Sequence, residues 1–394
     1  MQHDYAFSLP QPDAVSAAHG QRCAEYIRAR MRDAGGTISF AEFMHYALYT
    51  PGLGYYSAGS RKFGADGDFV TAPEISPLFG RVVAKQCAAA LREIDAAAVL
   101  EFGAGSGRLA LEMLRALQEL DALPAEYRIL EVSADLRERQ QQLLHEALPD
   151  FADRLVWLDR MPDAHRGVVI ANEVLDALPV ERFLRRKNGI YQLRVADEAG
   201  EFVFVDEPAP DILVRAVAAI ERDIGGALPD NYVSEVSLAA PAWLGDVAGM
   251  LEHGLVLLFD YGVSRREYYA ADRGEGWLRC HFRHRAHSDP LILPGLQDLT
   301  AWVDFSAVAE AAAGSGLQVL GYLSQAQFLL AGGIEAELRN FAEMSMESQL
   351  RTAAEVKMLT LPGEMGENVK CICLARGNVS RPTAFESADR THTL

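Results

Sequence analysis

Residues 101–107 read EFGAGSG, set between the apolar run AAAVL and the amphipathic segment RLALEMLRAL. A short apolar run, three glycines on alternate positions and a helix of 3.6-residue period leave few options. The run is a buried strand, the glycines make a tight turn, and the helix packs back on the sheet. That unit belongs to open α/β folds, where such a turn lies at the carboxyl edge of the sheet and meets a nucleotide-like ligand. The rest of the chain keeps the same rhythm. Candidate strands are 97–102, 127–133, 154–158, 167–173, 254–262, 316–323 and 368–376, mostly separated by helical segments. The fold class expected is α/β, a mainly parallel Rossmann-like sheet with helices on both faces.

Helical spacing is also read at 15–33 and 39–49, a small hairpin in TPGLGYYSAG, and a helix start near Ser76 or Pro77. The rhythm breaks twice. Alternating strands around the Asn188-Gly189 turn mark a β-hairpin insertion, and residues 263–304 form a second, irregular insertion. The expected organisation is an N-terminal helical region with a cofactor-covering loop over 1–80, a core over 81–376 with insertions at about 181–250 and 263–304, and a flexible tail over 377–394.

Composition narrows the function. The chain has 394 residues, 49% of them hydrophobic, and a net charge of −18. A nucleic-acid binder ordinarily carries a basic face, so no nucleic-acid partner is expected. No window reaches membrane-spanning length without charges, and the start lacks the basic and apolar regions of a signal peptide, so a cytoplasmic protein is expected. The five cysteines include no CxxC pair. Cys371 and Cys373 alternate in a strand pattern and read as core thiols, and no metal is expected. In HFRHRAH, His281, His284 and His287 are spaced as on one helical face, but with no acidic or cysteine cluster nearby they read as a solvated basic loop.

The glycine spacing selects the ligand. Gly103, Gly105 and Gly107 give G-x-G-x-G with Arg108 where the dinucleotide fingerprint wants its third small residue, and no Walker lysine follows. Acidic-x-Gly-x-Gly-x-Gly, with Glu101 at the strand end, resembles motif I of the class I S-adenosylmethionine-dependent methyltransferases. The glycines, with Ser106, let backbone approach the cofactor. Glu101 organises the loop, Glu131 beside Val132 at the next strand end is placed for the ribose hydroxyls, and Asp159, after the third strand, is placed to reach the adenine amine through side chain or backbone. At the end of the fourth strand stand Asn172, Glu173 and Asp176. Glu173 and Asp176 are one helical turn apart and so are expected to face one site; a helix start capped by Asn172 is the alternative. Asp260, in FDYG, either binds substrate or caps a turn.

Six segments occur in order: GDFVTAPEISPLFG, EFGAGSGRLA, ANEVLDALPVERF, LLFDYG, DLTAWVDFSAVAEAA and SQAQFLLAGGI. Together they resemble the MidA family of bacterial and mitochondrial methyltransferase-like proteins over about residues 20–376. The resemblance implies a class I methyltransferase core using S-adenosyl-L-methionine, with the loop before the core folded over the cofactor through Gly67, Asp68, Phe69 and Thr71. The mitochondrial relative looks like a protein arginine methyltransferase acting on a respiratory complex I subunit during assembly. The activity expected is protein arginine N-methylation, with Glu74, Glu173 and Asp176 as the carboxylates that hold a guanidinium. Expected partners are a protein substrate, a respiratory-complex subunit among the candidates, and a second copy of the chain. Two other readings stay open: methylation of a small molecule, and a cofactor-binding assembly factor or chaperone with no turnover. The sequence departs from the family where it reads Ala104 and Ser106 in the glycine loop and GWLRCHFRHRAHSDPLILPG at 276–295, which leaves the roles of the three histidines open.

Overall fold

A computed structural model of the chain describes residues 9–57 and 70–394. Among these, the apolar runs become the strands of one sheet: β1 Ala98–Phe102, β2 Tyr127–Leu130, β3 Leu155–Leu158, β4 His165–Asn172, β5 Leu251–Val263, β6 Gln318–Ser324 and β7 Val369–Arg376. Their order across the sheet is β3-β2-β1-β4-β5-β7-β6. The first five run parallel, and β7 enters between β5 and β6 antiparallel to both. Strand order reverses beside β1, and there the crevice of an open α/β sheet opens at the carboxyl ends. Alternation along β1 shows why the sheet is covered twice: Val99 enters the core on one face, while Leu100 and Phe102 enter the core on the other.

The helices α1 Ala14–Asp33, α2 Phe40–Tyr49, α3 Ala72–Ile75, α4 Pro77–Glu93, α5 Arg108–Glu119 and α6 Ala134–Ala147 follow in order. Ser76 caps α4 through the Leu78 amide, and Pro77 takes the first helical position, where its missing N–H costs nothing. Ser39 and Glu42 close a capping box on α2. The N-terminal pair does not pack on the central sheet. Cys23, Ile27, Phe40, Phe43 and Leu48 share a separate core with Val180, Val195, Leu278 and Cys280 of the insertions.

The first insertion contains the expected hairpin, Glu181–Arg186 with Gly189–Glu198, which Thr37–Ser39, Glu201–Pro208 and Tyr232–Val236 extend to five strands. Three expectations are corrected. HFRHRAH is not a helix or a loose loop: Leu278–Phe282 pairs with Arg285–His287 across a two-residue turn in which Arg283 and His284 have φ of 48° and 59°. The turn in TPGLGYYSAG leads, within the described residues, into a 3-10 turn at Tyr55–Ser57 rather than a hairpin. Residues 377–394 are packed, with Ala384 and Phe385 fully buried and Phe385 against Phe328.

Candidate functional site

The site is built by the glycine turn. Gly103, Gly105 and Gly107 all have positive φ, at 62°, 56° and 87°, a region that side-chain-bearing residues rarely enter. The turn closes when the Gly107 amide donates to the Ala104 carbonyl at 2.8 Å, and α5 starts directly from it. A cavity of about 380 Å³ opens over this turn. Among the described residues its walls include Glu101, Gly103, Gly105 and Ser106 from the turn, Glu131 and Val132 from the end of β2, and Asn172 and Glu173 from the end of β4. Thr71 and Glu74 come from the segment before the core, and Tyr49 and Tyr56 from α2 and the turn after it.

The carboxylates are in different states. Glu101 is 2% exposed, and burial pushes its pKa up to about 7 even though the Tyr127 hydroxyl donates to it at 2.6 Å. Glu131 accepts from the Ser133 amide at 2.9 Å and from the Gln140 side chain at 3.0 Å. Glu173 has φ of 53°, a strained setting for a residue with a side chain, and burial with the neighbouring Asp176 charge raises its pKa well above the carboxylate range. Asn172 Oδ1 is buried with no hydrogen-bond partner. An orphaned acceptor at a cavity wall calls for a donor from a ligand.

Several expected residues lie elsewhere. Asp176 is 6% exposed and is not among the lining residues; it sits behind the wall, its pKa raised by burial and by Asp260 and Asp298. The helical spacing that joined it to Glu173 does not apply, because the chain turns irregularly after β4 and Asn172 caps no helix. Asp260 is the reason for that turn: its Oδ2 accepts from the amides of Val174, Leu175 and Asp176 at 3.1, 2.8 and 3.3 Å, and its Oδ1 from Tyr261. Asp159 points outward, its side chain 87% exposed and paired with Arg137, while the next residues, Arg160 and Met161, line the cavity. Gly107 lies behind the loop against Gln140. Glu74 reaches the cavity, but its carboxylate already accepts from the Ser106 hydroxyl and pairs with Arg108 Nε at 3.2 Å, so it braces the glycine loop. Gly67, Asp68 and Phe69 lie outside the described residues.

The sequence reading missed Gln140. Fully buried on α6, its amide donates to the Gly105 carbonyl at 2.9 Å and to Glu131, and accepts from the Trp157 indole at 3.1 Å. It ties the glycine loop to the end of β2. It also missed Tyr49 and Tyr56, whose hydroxyls donate to the Ala177 carbonyl at 2.9 Å and to Asp298 Oδ1 at 2.8 Å.

A family model for S-adenosyl-L-methionine-dependent methyltransferases matches residues 82–323. The chain belongs to this family. It is a methyltransferase whose cofactor is S-adenosyl-L-methionine, and the bare glycine backbone, the Glu131 carboxylate and the orphaned Asn172 oxygen fit such a group. A crystal structure of a COG1565 superfamily member from Burkholderia thailandensis, bound to S-adenosyl-homocysteine, is 43% identical with a TM-score of 0.92, over 98% of this chain and all of that one. The Drosophila melanogaster protein arginine methyltransferase NDUFAF7 homolog, mitochondrial, is 30% identical over 93% of this chain and 88% of its own. Its Danio rerio counterpart is 30% identical over 85% and 82%. No helix among the described residues is long and apolar enough to cross a membrane.

Proposed function

We propose that this methyltransferase modifies arginine side chains of a protein. The observation that carries the reading is Glu173: a half-buried carboxyl held in a left-handed backbone, on the cavity that also contains the glycine turn. The names of the NDUFAF7 relatives support the acceptor class. In this reading Glu101, Gly103, Gly105, Ser106, Glu131, Val132 and Asn172 hold the cofactor, Thr71 and Glu74 close it in, and Gly107 shapes the turn. Bound S-adenosyl-L-methionine supplies a methyl group on a sulfonium, already activated, so the protein's work is alignment and exclusion of water. A guanidinium is a poor nucleophile while its charge is delocalised. Glu173 accepts its N–H bonds, draws the positive charge away from the attacking nitrogen and takes the proton that this nitrogen sheds; its raised pKa suits that task. Asp260 acts behind it by gathering the amides of Val174, Leu175 and Asp176, which fixes the turn after Glu173, and Asp176 helps to keep the Glu173 pKa raised. Among protein acceptors, a respiratory-complex subunit is the first to test.

The test uses purified protein, S-adenosyl-L-methionine carrying a labelled methyl group, and a lysate from a strain lacking the gene. Label in protein that hydrolyses to methylarginine supports the reading. Label in small molecules, or cofactor binding with no transfer, overturns it. Glu173→Gln should leave S-adenosyl-homocysteine affinity within about threefold and cut transfer at least a hundredfold, in the range that general-base groups contribute.

A further inference from the structure

The acceptor half of the cavity is not made by the methyltransferase sheet alone. Tyr49 ends α2 and Tyr56 lies in the next turn, both upstream of the segment that the family model matches. Their rings stack at 5.5 Å with 25° between planes, and both line the cavity that holds Glu173 and Asn172. Each hydroxyl spends its proton on the protein body, Tyr49 on the Ala177 carbonyl and Tyr56 on Asp298, so the rings are fixed in place. Donation to a carboxylate leaves the Tyr56 ring richer in electrons. Glu173 on the wall, with Asp176, Asp260 and Asp298 behind it, surrounds the same space with acidic groups. An electron-rich aromatic wall beside carboxyl groups is complementary to a cation that also carries N–H groups.

We propose that Tyr49 and Tyr56 form a specificity wall for a planar cation of the guanidinium class, so that the N-terminal helices complete the acceptor site. This rests on the arginine reading above. The rings discriminate by charge and flatness: a neutral isostere of the same shape gains no attraction from the ring faces.

The experiment uses the full-length protein saturated with S-adenosyl-homocysteine and two probes, methylguanidinium and its neutral analogue N-methylurea, with binding followed by calorimetry and saturation-transfer NMR. Methylguanidinium should bind wild type at least fivefold more tightly than N-methylurea. Tyr56→Leu should weaken methylguanidinium about 3- to 30-fold, while Tyr56→Phe, which keeps the ring, should stay within about threefold. S-adenosyl-homocysteine affinity should hold in both. Equal binding of the two probes, no binding of methylguanidinium to wild type, or an unaffected Tyr56→Leu variant overturns the wall. A loss of affinity for S-adenosyl-L-methionine relative to S-adenosyl-homocysteine in Tyr56→Leu, with methylguanidinium unmoved, assigns the rings to the sulfonium instead and also overturns it. Methylarginine formed by a protein without probe selectivity would sink the wall and leave the arginine reading standing; selective probe binding with label on another residue type would do the reverse.

Discussion

Glu101 lies at the end of a strand with its carboxyl buried, and its pKa rises from the ordinary 4.5 to about 7. Between those values the folded chain keeps a proton that the unfolded chain releases. The group's contribution is therefore fully present below pH 4.5 and is lost as pH rises through about 7, on the order of 3 kcal/mol in all. Urea unfolding at pH 4.5, 6 and 8 should give a Glu101→Gln variant whose stability falls less with pH than wild type does; parallel pH profiles would show that the buried carboxyl does not titrate in this range. Gln140 makes a second case. Gln140→Leu removes the donor to Gly105 and Glu131 and leaves the Trp157 N–H without its acceptor, so it should cost about 2–3 kcal/mol and weaken S-adenosyl-homocysteine at least tenfold. Unchanged affinity by calorimetry would mean that Glu131 and the loop hold their places without it. Glu101, Glu131 and Glu173 could be read from the sequence because each closes an apolar strand. Gln140 sits in a run of three glutamines, and the sign of its burial was its place between Leu136 and Leu144 at intervals of four, the inward stripe of α6. For Asp159 the side-chain alternative fails because the residue after a strand can turn either way, and side-chain pairing with Arg137 decided the direction.

At the scale of elements, β1, β4 and β5 come together through glycine. Gly167 on β4 pairs with Ala98 on β1 and Gly254 on β5, and its φ is 127°. A Cβ there would stand 2.1 Å from the Ala98 carbonyl oxygen, a backbone atom that cannot move without breaking the sheet. Gly167→Ala should fail to accumulate as soluble protein, whereas Gly249→Ala, in the helix Ala239–Met250 where a Cβ meets nothing within 4 Å, should accumulate close to wild-type levels. Soluble yields and melting curves of the pair test this, and a soluble, cofactor-binding Gly167→Ala chain would contradict the close approach. The central strands were legible because strands buried on both faces read as continuous apolar runs. The hairpin Leu278–Phe282 with Arg285–His287 was not, since its charged and imidazole residues mimic a helical interval and only cross-strand pairing, which sequence does not display, fixes them as strands. The turn after β4 was misread for a related reason: Asp260, far along the chain, gathers its amides and prevents a helix.

Across the whole molecule the two halves of the site rest on different cores. The cofactor half sits on the central sheet and the helices packed against it; the acceptor half hangs on α2, whose core partners belong to the insertions rather than to that sheet. Cofactor affinity and acceptor turnover should therefore respond separately to damage in the N-terminal core. Phe43 tests this. It is fully buried, stacks on Phe40 at 6.2 Å and meets Phe202 of the insertion edge-on at 5.3 Å, yet it touches neither the glycine turn nor the cavity. Phe43→Ala should destabilise its core by about 3–5 kcal/mol. As α2 loosens, Tyr49 loses its fixed position, and methyl transfer should fall at least tenfold while S-adenosyl-homocysteine affinity stays within about threefold. A conservative Phe43→Leu should restore most of the transfer, because it refills the space without a polar group. Calorimetry and transfer rates on the same preparations decide the matter. If affinity and turnover fall together in Phe43→Ala, the N-terminal helices support the whole site, and the division of labour between sheet and helices is wrong.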